Sequence, residues 1–594
     1  MTTLKKLLDL LSSGERKRAA LLLCMILFMA LLDMLGVASI MPFMAVMVNP
    51  ELVETNAVLA SIYNIFGFTD RQSFLFFLGV IVFVTLVVSL TFKALTTYIQ
   101  LRFTMMREYS IGRELVTGYL NQSYTLLLNR HSADLGKTVL SEVSAVINGS
   151  MLPMMTLIAQ GAVTITLLFL LLALEPKLAL IVGVVLGVAY GLIFKVTSSF
   201  LTRIGNERLV ANKNRFTAVS EAFGAAKEIK VGGLEQAYID RFSRPAEIYA
   251  KHQASAQVIT QLPRFALEIV TFGGMLLVVL YLMAENGSLA AALPIIALYA
   301  FAGYRLMPAL QMIYGSFSTL RYSRPALDAL HADLVNLNSA KTNNSNVEAM
   351  QLGHAIVLKN IRFSYPNTLQ PALQNLNLTI KARNTIGLVG STGSGKTTMV
   401  DLILGLLEPQ NGSLTVDGNE INTNNRRQWQ KSIGYVPQQI YLADDSVAAN
   451  IAFGLESSEI DHEAVERAAR IANLHDFVVS DLYDGYATMV GERGVRLSGG
   501  QRQRIGIARA LYHSPQVLIL DEATSALDNI TEQAVMEAVN NLSHEITIIL
   551  IAHRLSTVRK CDQIYLLSKG YMLAHGTYDQ LVKENETFRA MAAK

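Results

Sequence analysis

The stretch Thr385-Ile-Gly-Leu-Val-Gly390-Ser-Thr-Gly-Ser-Gly395-Lys396-Thr397-Thr398 decides the fold of the second half of the chain. Its first five residues are a short apolar run that predicts a strand over 385–389, and a helix is expected from about Lys396. From Gly390 the residues fit G-x-x-x-x-G-K-[ST]. A chance Gly/Ser turn is the alternative, and the flanking strand and helix argue against it. Gly390, Gly393 and Gly395 let backbone N–H groups turn toward phosphate oxygens with no Cβ in the way. Ser391, Thr392 and Ser394 make up the rest of the loop. The helix start adds partial positive charge. Lys396 is placed to reach β- and γ-phosphates, Thr397 to offer a hydroxyl to Mg²⁺, and Thr398 completes the candidate nucleotide set.

Further on, Val517-Leu-Ile-Leu-Asp521-Glu522 is an apolar strand ending in two acids. A strand buried on both faces reads as a continuous apolar run. Acids at its carboxyl end fall where open α/β sheets bind ligands. Asp521 suits a magnesium site, and Glu522 suits a base that takes a proton from an attacking water. Strand-like runs at 356–364, 385–389, 517–520, 547–551 and 563–567 alternate with helical stretches, so an α/β domain with a largely parallel sheet is expected over 354–594. The Asn/Ser-rich stretch before it reads as a linker, 336–353.

Upstream of the linker the composition changes. Charged residues are 16% of the 594-residue chain, where about 25% is usual, and the deficit is concentrated before residue 325. Six apolar runs of spanning length predict transmembrane helices at about 19–48, 74–98, 151–174, 178–194, 265–284 and 289–314. The expected architecture is therefore a membrane all-α six-helix domain, 1–335, joined to an α/β P-loop domain. The first run is too long for a signal peptide and lacks its cleavage pattern, so it is expected to be retained. Cys24 and Cys561 are the only cysteines, which excludes a disulfide scaffold. A net charge of +3 gives no basic face for nucleic acid.

Basic residues set the orientation. Lys5, Lys6, Arg16, Lys17 and Arg18 precede the first span, and the long connections after spans two and four carry most of the others. The turns between spans five and six (Glu285-Asn-Gly-Ser288) and between one and two hold one basic residue in all, Arg71. Both termini are thus expected to be cytoplasmic. The long cytoplasmic connections have helical periodicity. The external loop 49–73 centres on 58–66, which reads as a short interfacial helix or as a partly ordered loop. Residues 3–11 read as a helix on the inner surface.

Two further motifs carry a family resemblance: Leu497-Ser498-Gly499-Gly500-Gln501, and Ser525-Ala-Leu-Asp528 after Glu522. With the phosphate loop and the acidic strand, they resemble the ATP-binding-cassette (ABC) transporters over essentially the whole chain. Six spans followed by one cassette resemble a half-exporter of that family. The resemblance implies ATP and Mg²⁺, and a nucleotide sandwiched between the phosphate loop of one cassette and Ser498–Gln501 of another. It implies that Tyr365 stacks on adenine, that Gln438 ligates Mg²⁺ (the V-x-Q spacing favours it over Gln439), and that Asp528 contributes to the nucleotide site. His553 takes the γ-phosphate switch position beside the base Glu522, and Thr397, Gln438 and Asp521 hold the metal. Gly491-Glu-Arg-Gly494 matches the segment that meets the membrane domain, and 122–130 and 220–225 match the segments that dock on cassettes. Both catalytic positions are intact, which favours a homodimer with two competent sites.

Ionisable residues inside spans are candidate functional sites. Asp33, Arg305 and Glu268 are the candidates for a substrate cavity. Arg305 either meets a phosphate on the substrate or forms an inter-helix pair with Asp33 or Glu268. The stretch Leu31-Leu-Asp33-Met-Leu-Gly-Val-Ala-Ser-Ile-Met41-Pro42-Phe43 resembles exporters that flip lipid-linked oligosaccharides. A polyprenyl-diphosphate-linked glycan is therefore the leading substrate expectation, in a bacterial inner membrane. The alternatives are a multidrug or lipid exporter, a peptide exporter and, from another class, an ATP-gated channel or receptor. The short stretch before Ala19 does not favour a peptide exporter, and the intact Glu522–His553 pair weighs against a switch that need not hydrolyse quickly.

Overall fold

The computed structural model describes residues 3–592 apart from 129, 131, 175, 266, 267, 270–272, 274, 275, 277–279, 281–288, 339–346, 367, 369, 524–528 and 553. The chain divides into two compact units, Met1–Gln122 with Asn129–Lys341, and Ser123–Leu128 with Thr342–Lys594.

The first unit is helical. Among the described residues four segments are long and apolar enough to cross a membrane: Ser13–Val48, Arg71–Leu120, Ser132–Leu174 and Ala179–Gly224. Each overlaps one of the first four expected spans. The fifth, 265–284, lies largely outside the described residues, as do the side chains of the sixth up to residue 299; its backbone begins the helix Leu289–Asn338. Arg71–Leu120 and Leu289–Asn338 are each 50 residues long. At 1.5 Å per residue that is about 75 Å, more than twice a hydrocarbon layer of about 30 Å. These helices therefore continue well beyond any membrane they cross.

Local chemistry fixes the helix starts. Ser12 and Glu15 form a capping box at Ser13–Ala38, and Asp70 caps Arg71–Leu120 through the Ser73 N–H. The stretch 57–65 is helical, with Asn56 Oδ1 accepting the N–H groups of Val58 and Leu59. Leu59 points into a small core with Val53, Phe74 and Leu78, while Val58 and Ile65 stay exposed. The helix Thr3–Asp9 buries Leu7 and is tied to the Leu289–Asn338 helix by Lys6 Nζ to Asp328 Oδ1 at 2.7 Å. Two π-helical turns, Thr138–Glu142 and Ile147–Met151, interrupt the third membrane segment. The first delivers Glu142 to Asn212 Nδ2 at 2.7 Å and Arg208 Nη2 at 3.2 Å.

The second unit carries two sheets rather than the one expected. A six-stranded sheet has the order β10-β9-β3-β8-β7-β6: β3 is Thr385–Gly390, β6 Ile433–Val436, β7 Val517–Asp521, β8 Thr547–Ile551, β9 Gln563–Ser568 and β10 Tyr571–Gly576. All neighbours are parallel except β10 with β9. Every residue of β3, β7 and β8 is buried, as two-faced coverage requires. The run read at 356–364 is β1, Ala355–Phe363, and it lies in a separate antiparallel sheet, β2-β1-β4-β5, with β2 Leu373–Lys381, β4 Asn411–Val416 and β5 Asn419–Glu420. The reason is visible in β2, whose residues alternate buried and exposed. A sheet with one solvated face takes that pattern.

Candidate functional site

The strand order places four carboxyl ends side by side: β3, β8, β7 and β6. The loops leaving these ends carry the sequence-derived candidates. Gly390 ends β3, Asp521 ends β7, and Gln438 stands two residues beyond β6. His553 follows β8, but it lies outside the described residues, as does Asp528.

The phosphate loop is a tight cradle. Gly395 has φ +103°, and a Cβ there would lie 2.8 Å from Leu373 Cδ2 and 2.9 Å from the Ala372 carbonyl. Only glycine meets both demands. The helix Lys396–Ile403 begins immediately after it. Lys396 is 6% exposed, and its ammonium donates to the loop's own carbonyls, Gly390 O at 2.9 Å and Ser391 O at 3.2 Å. Burial pushes its pKa down, while Glu522 and Asp521 pull it up. Ser394 Oγ is buried with no hydrogen-bond partner. Thr397 is exposed. A buried cation on weak acceptors beside an unsatisfied hydroxyl fits a polyphosphate, which supplies the acceptors that both groups lack.

The acidic side of the cluster is ordered by hydrogen bonds. Gln438 donates Nε2 to Oε2 of Glu522 at 2.7 Å. Glu522 sits at φ +50°, in the left-handed region that costs a non-glycine residue energy and recurs at functional sites. Tyr435, on β6, hydrogen-bonds the Asp521 side chain. Asp401, on the Lys396–Ile403 helix, is lifted from its ordinary 3.8 to about 6, by burial and then by Asp521. Tyr365 places its hydroxyl 3.2 Å from Thr398 Oγ1 and its ring edge-on to Phe363. Lys396, Thr398, Tyr365, Gln438, Asp521 and Glu522 are thus one cluster.

Ser498, Gly499, Gly500 and Gln501 form the start of the helix Gly499–Leu511. Ser498 Oγ accepts the Gln501 N–H at 3.2 Å, and Gln501 Oε1 accepts the Ser498 N–H at 2.7 Å. That capping box ties these residues to one another. Beside them Arg502 Nη1 holds the Leu497 and Gly494 carbonyls at 2.8 and 3.3 Å, which fixes the end of the Gly491–Gly494 turn.

The family description "ABC transporter" matches residues 373–525, and "ABC transporter transmembrane region" matches 20–302. An ATP-dependent lipid A-core flippase of Cupriavidus pinatubonensis is 31% identical over 482 residues, 77% of this chain and 78% of that protein. The chain belongs to the ATP-binding-cassette transporters. Arabidopsis thaliana ABC transporter B family member 29, chloroplastic, is 31% identical over 74% of this chain and 69% of its own length. B family member 28 of the same plant is 40% identical over 45% of this chain, which covers 37% of that protein. A solved structure of a bacterial Atm1-family ABC exporter with ATP bound superposes with a TM-score of 0.77 over 97% of this chain and 98% of that one, at 21% identity. That likeness shows the fold. ABC transporters couple ATP hydrolysis to transport, and this chain has the membrane region and the ATP-binding domain for it.

The ABC membrane unit holds the other candidate site. Asp33 is fully buried. Its Oδ1 accepts the Ser89 hydroxyl at 2.8 Å and faces Arg305 Nη1 at 3.2 Å. Its Oδ2 faces Lys93 Nζ at 3.4 Å. Glu268 does not join them; it pairs with Arg264, one turn before it, at 2.8 Å. Three residues escaped the sequence reading: Lys93, Asp401 and Tyr435. Lys93 and Asp401 each leave the same signal, one charge within an apolar run. Tyr435 leaves none, since an aromatic on a strand is ordinary.

The segment Ser123–Leu128, expected to dock, belongs to the ATP-binding unit. Its Tyr124 packs on that unit's core beside Tyr365 and Tyr435. The second segment, 220–225, stays with the membrane unit, and Phe223 there is 79% exposed.

Proposed function

We propose that two copies of this chain form an ATP-driven flippase for a polyprenyl-diphosphate-linked oligosaccharide in a bacterial inner membrane, with both termini cytoplasmic. The observation that carries the substrate class is the Asp33–Arg305–Lys93 cluster, two cations on one carboxylate among membrane helices. Arg305 pairs with Asp33 across helices, and ionisable residues inside a membrane domain are functional-site candidates by default. A guanidinium suits a diphosphate because its planar fork binds two oxygens. A relative named as a flippase of lipid A-core supports a lipid substrate over a peptide.

Dimerisation follows from the family arrangement, in which the phosphate loop and Ser498–Gln501 serve different sites. The exposed Phe223 on the second docking segment, 220–225, suits a partner's cassette. In each site the glycine-rich loop and Lys396 hold the phosphates, and Tyr365 takes the adenine. Thr397, Gln438 and Asp521 are the residues that would hold Mg²⁺, which supplies charge neutralisation at the γ-phosphate when bound. Glu522, oriented by Gln438, takes the proton of the attacking water, with His553 at the γ-phosphate. Catalysis is then positioning and charge stabilisation of in-line transfer to water.

The test is a vesicle assay with purified protein and a labelled polyprenyl-diphosphate glycan. ATP-dependent movement that weakens in Arg305→Ala supports the reading. Absence of movement overturns the substrate, and movement indifferent to Arg305 overturns phosphate recognition by that residue.

A further inference from the structure

The transport scheme above gives Asp33 no role. It is also the most enclosed member of the membrane charge cluster. Its carboxylate is 0% exposed, whereas the side chains of Arg305 and Lys93 are 13% and 31% exposed. The two cations thus reach accessible surface, and the anion that neutralises them does not. The three residues come from three helices, Ser13–Ala38, Arg71–Leu120 and Leu289–Asn338. Ser89 fixes one carboxylate oxygen at 2.8 Å, so the anion stays anchored to its own two helices if a cation turns away.

We propose that Asp33 is a resident counter-ion with which the substrate's phosphate must compete for Arg305 and Lys93. This rests on the reading that the substrate carries phosphate. A phosphate oxygen within contact of either cation comes close to a fixed negative charge, and like charges at that range repel. The repulsion sets binding weak enough for release. Transport needs such a compromise, because a site must be entered and also left. When the phosphate departs, Asp33 re-forms both pairs, so the fully buried carboxylate is not left unpaired, a state that carries a heavy desolvation penalty. Affinity is thereby traded for turnover at one residue.

The test uses the full chain in neutral phosphatidylcholine vesicles. ATP turnover is followed as polyprenyl diphosphate is added, with soluble inorganic pyrophosphate in a parallel arm. In Asp33→Asn the half-saturating concentration of the effective probe is expected to fall about tenfold, with maximal turnover falling several-fold. Ser89→Ala, which loosens the carboxylate without removing it, should shift both in the same direction by less, and it serves if the Asn variant does not fold. Response to the lipid alone supports a membrane-borne diphosphate; response to both probes supports the counter-ion role toward dissolved phosphates as well. If the wild type responds but neither variant changes half-saturation, Asp33 is not a competitor, while the phosphate reading stands. A raised half-saturation in Asp33→Asn also overturns the role, since Asp33 would then be holding the cations in place. No response of the wild type to either probe overturns both this inference and the phosphate reading.

Discussion

Gln438 Nε2 stands 2.7 Å from Glu522 Oε2, joining the loop after β6 to the end of β7. The bond holds the carboxylate of the proposed base in one orientation. A hydrogen bond to a charged group contributes about 1.5–3 kcal/mol. Gln438→Ala should therefore lower ATP turnover by about tenfold or more with nucleotide affinity changed less. Steady-state turnover beside nucleotide titration measures the two separately; equal losses in both would place Gln438 in binding alone.

Gly395 gives a steric prediction. Gly395→Ala adds a Cβ at 2.8–2.9 Å from Leu373 and Ala372 and forces φ +103° on a residue that resists it. Backbone strain of this kind costs of order 1–3 kcal/mol. The variant should unfold its ATP-binding unit at lower temperature and lose nucleotide binding. Retention of full affinity would show that the cradle can relax.

Asp401 gives a pH dependence. Its folded value of about 6 stands above the ordinary 3.8, so the folded state keeps a proton that the unfolded chain releases. Stability on this account is highest below about pH 4, falls as pH rises through the interval to about 6, and stays lower above it. The effect, discounted for partial solvation, is on the order of 1–2 kcal/mol. Trp429 is the single tryptophan and is fully buried in the same core, so its fluorescence reports the unfolding of this unit in the intact protein. Without nucleotide or Mg²⁺, Asp401→Asn should unfold at a higher temperature than the wild type at pH 8, and the advantage should shrink at pH 4.5. A constant advantage would assign the effect to packing.

Ser498 tests the pairing of chains. Lys396→Ala and Ser498→Arg should each be inactive alone. Mixed in equal amounts before assembly, they leave one intact site in half of the dimers if the two motifs meet in trans. About a quarter of wild-type turnover should then return. No recovery from the mixture would place both motifs of a site in one chain.

Much of this arrangement was legible where function depends on local spacing. The phosphate loop and the acidic end of β7 are read from residue spacing and Gln438 from the family resemblance, and the structure gathers them because β3, β7 and β6 run parallel and end together. The antiparallel sheet was not read, since β2, with Asn375 and Asn377 among its leucines, lacks an apolar run. Lys93 and Asp401 were hidden by the apolar residues around them. Only packing reveals that Lys93 shares Asp33 with Arg305, or that Asp401 lies against Asp521.

The central claim is that Glu522 turns ATP binding into hydrolysis that drives movement. The most direct measurement is ATP turnover of Glu522→Gln in the reconstituted full chain. The account predicts a fall of about a hundredfold or more, with nucleotide still bound and dimers retained. Turnover equal to the wild type would contradict it.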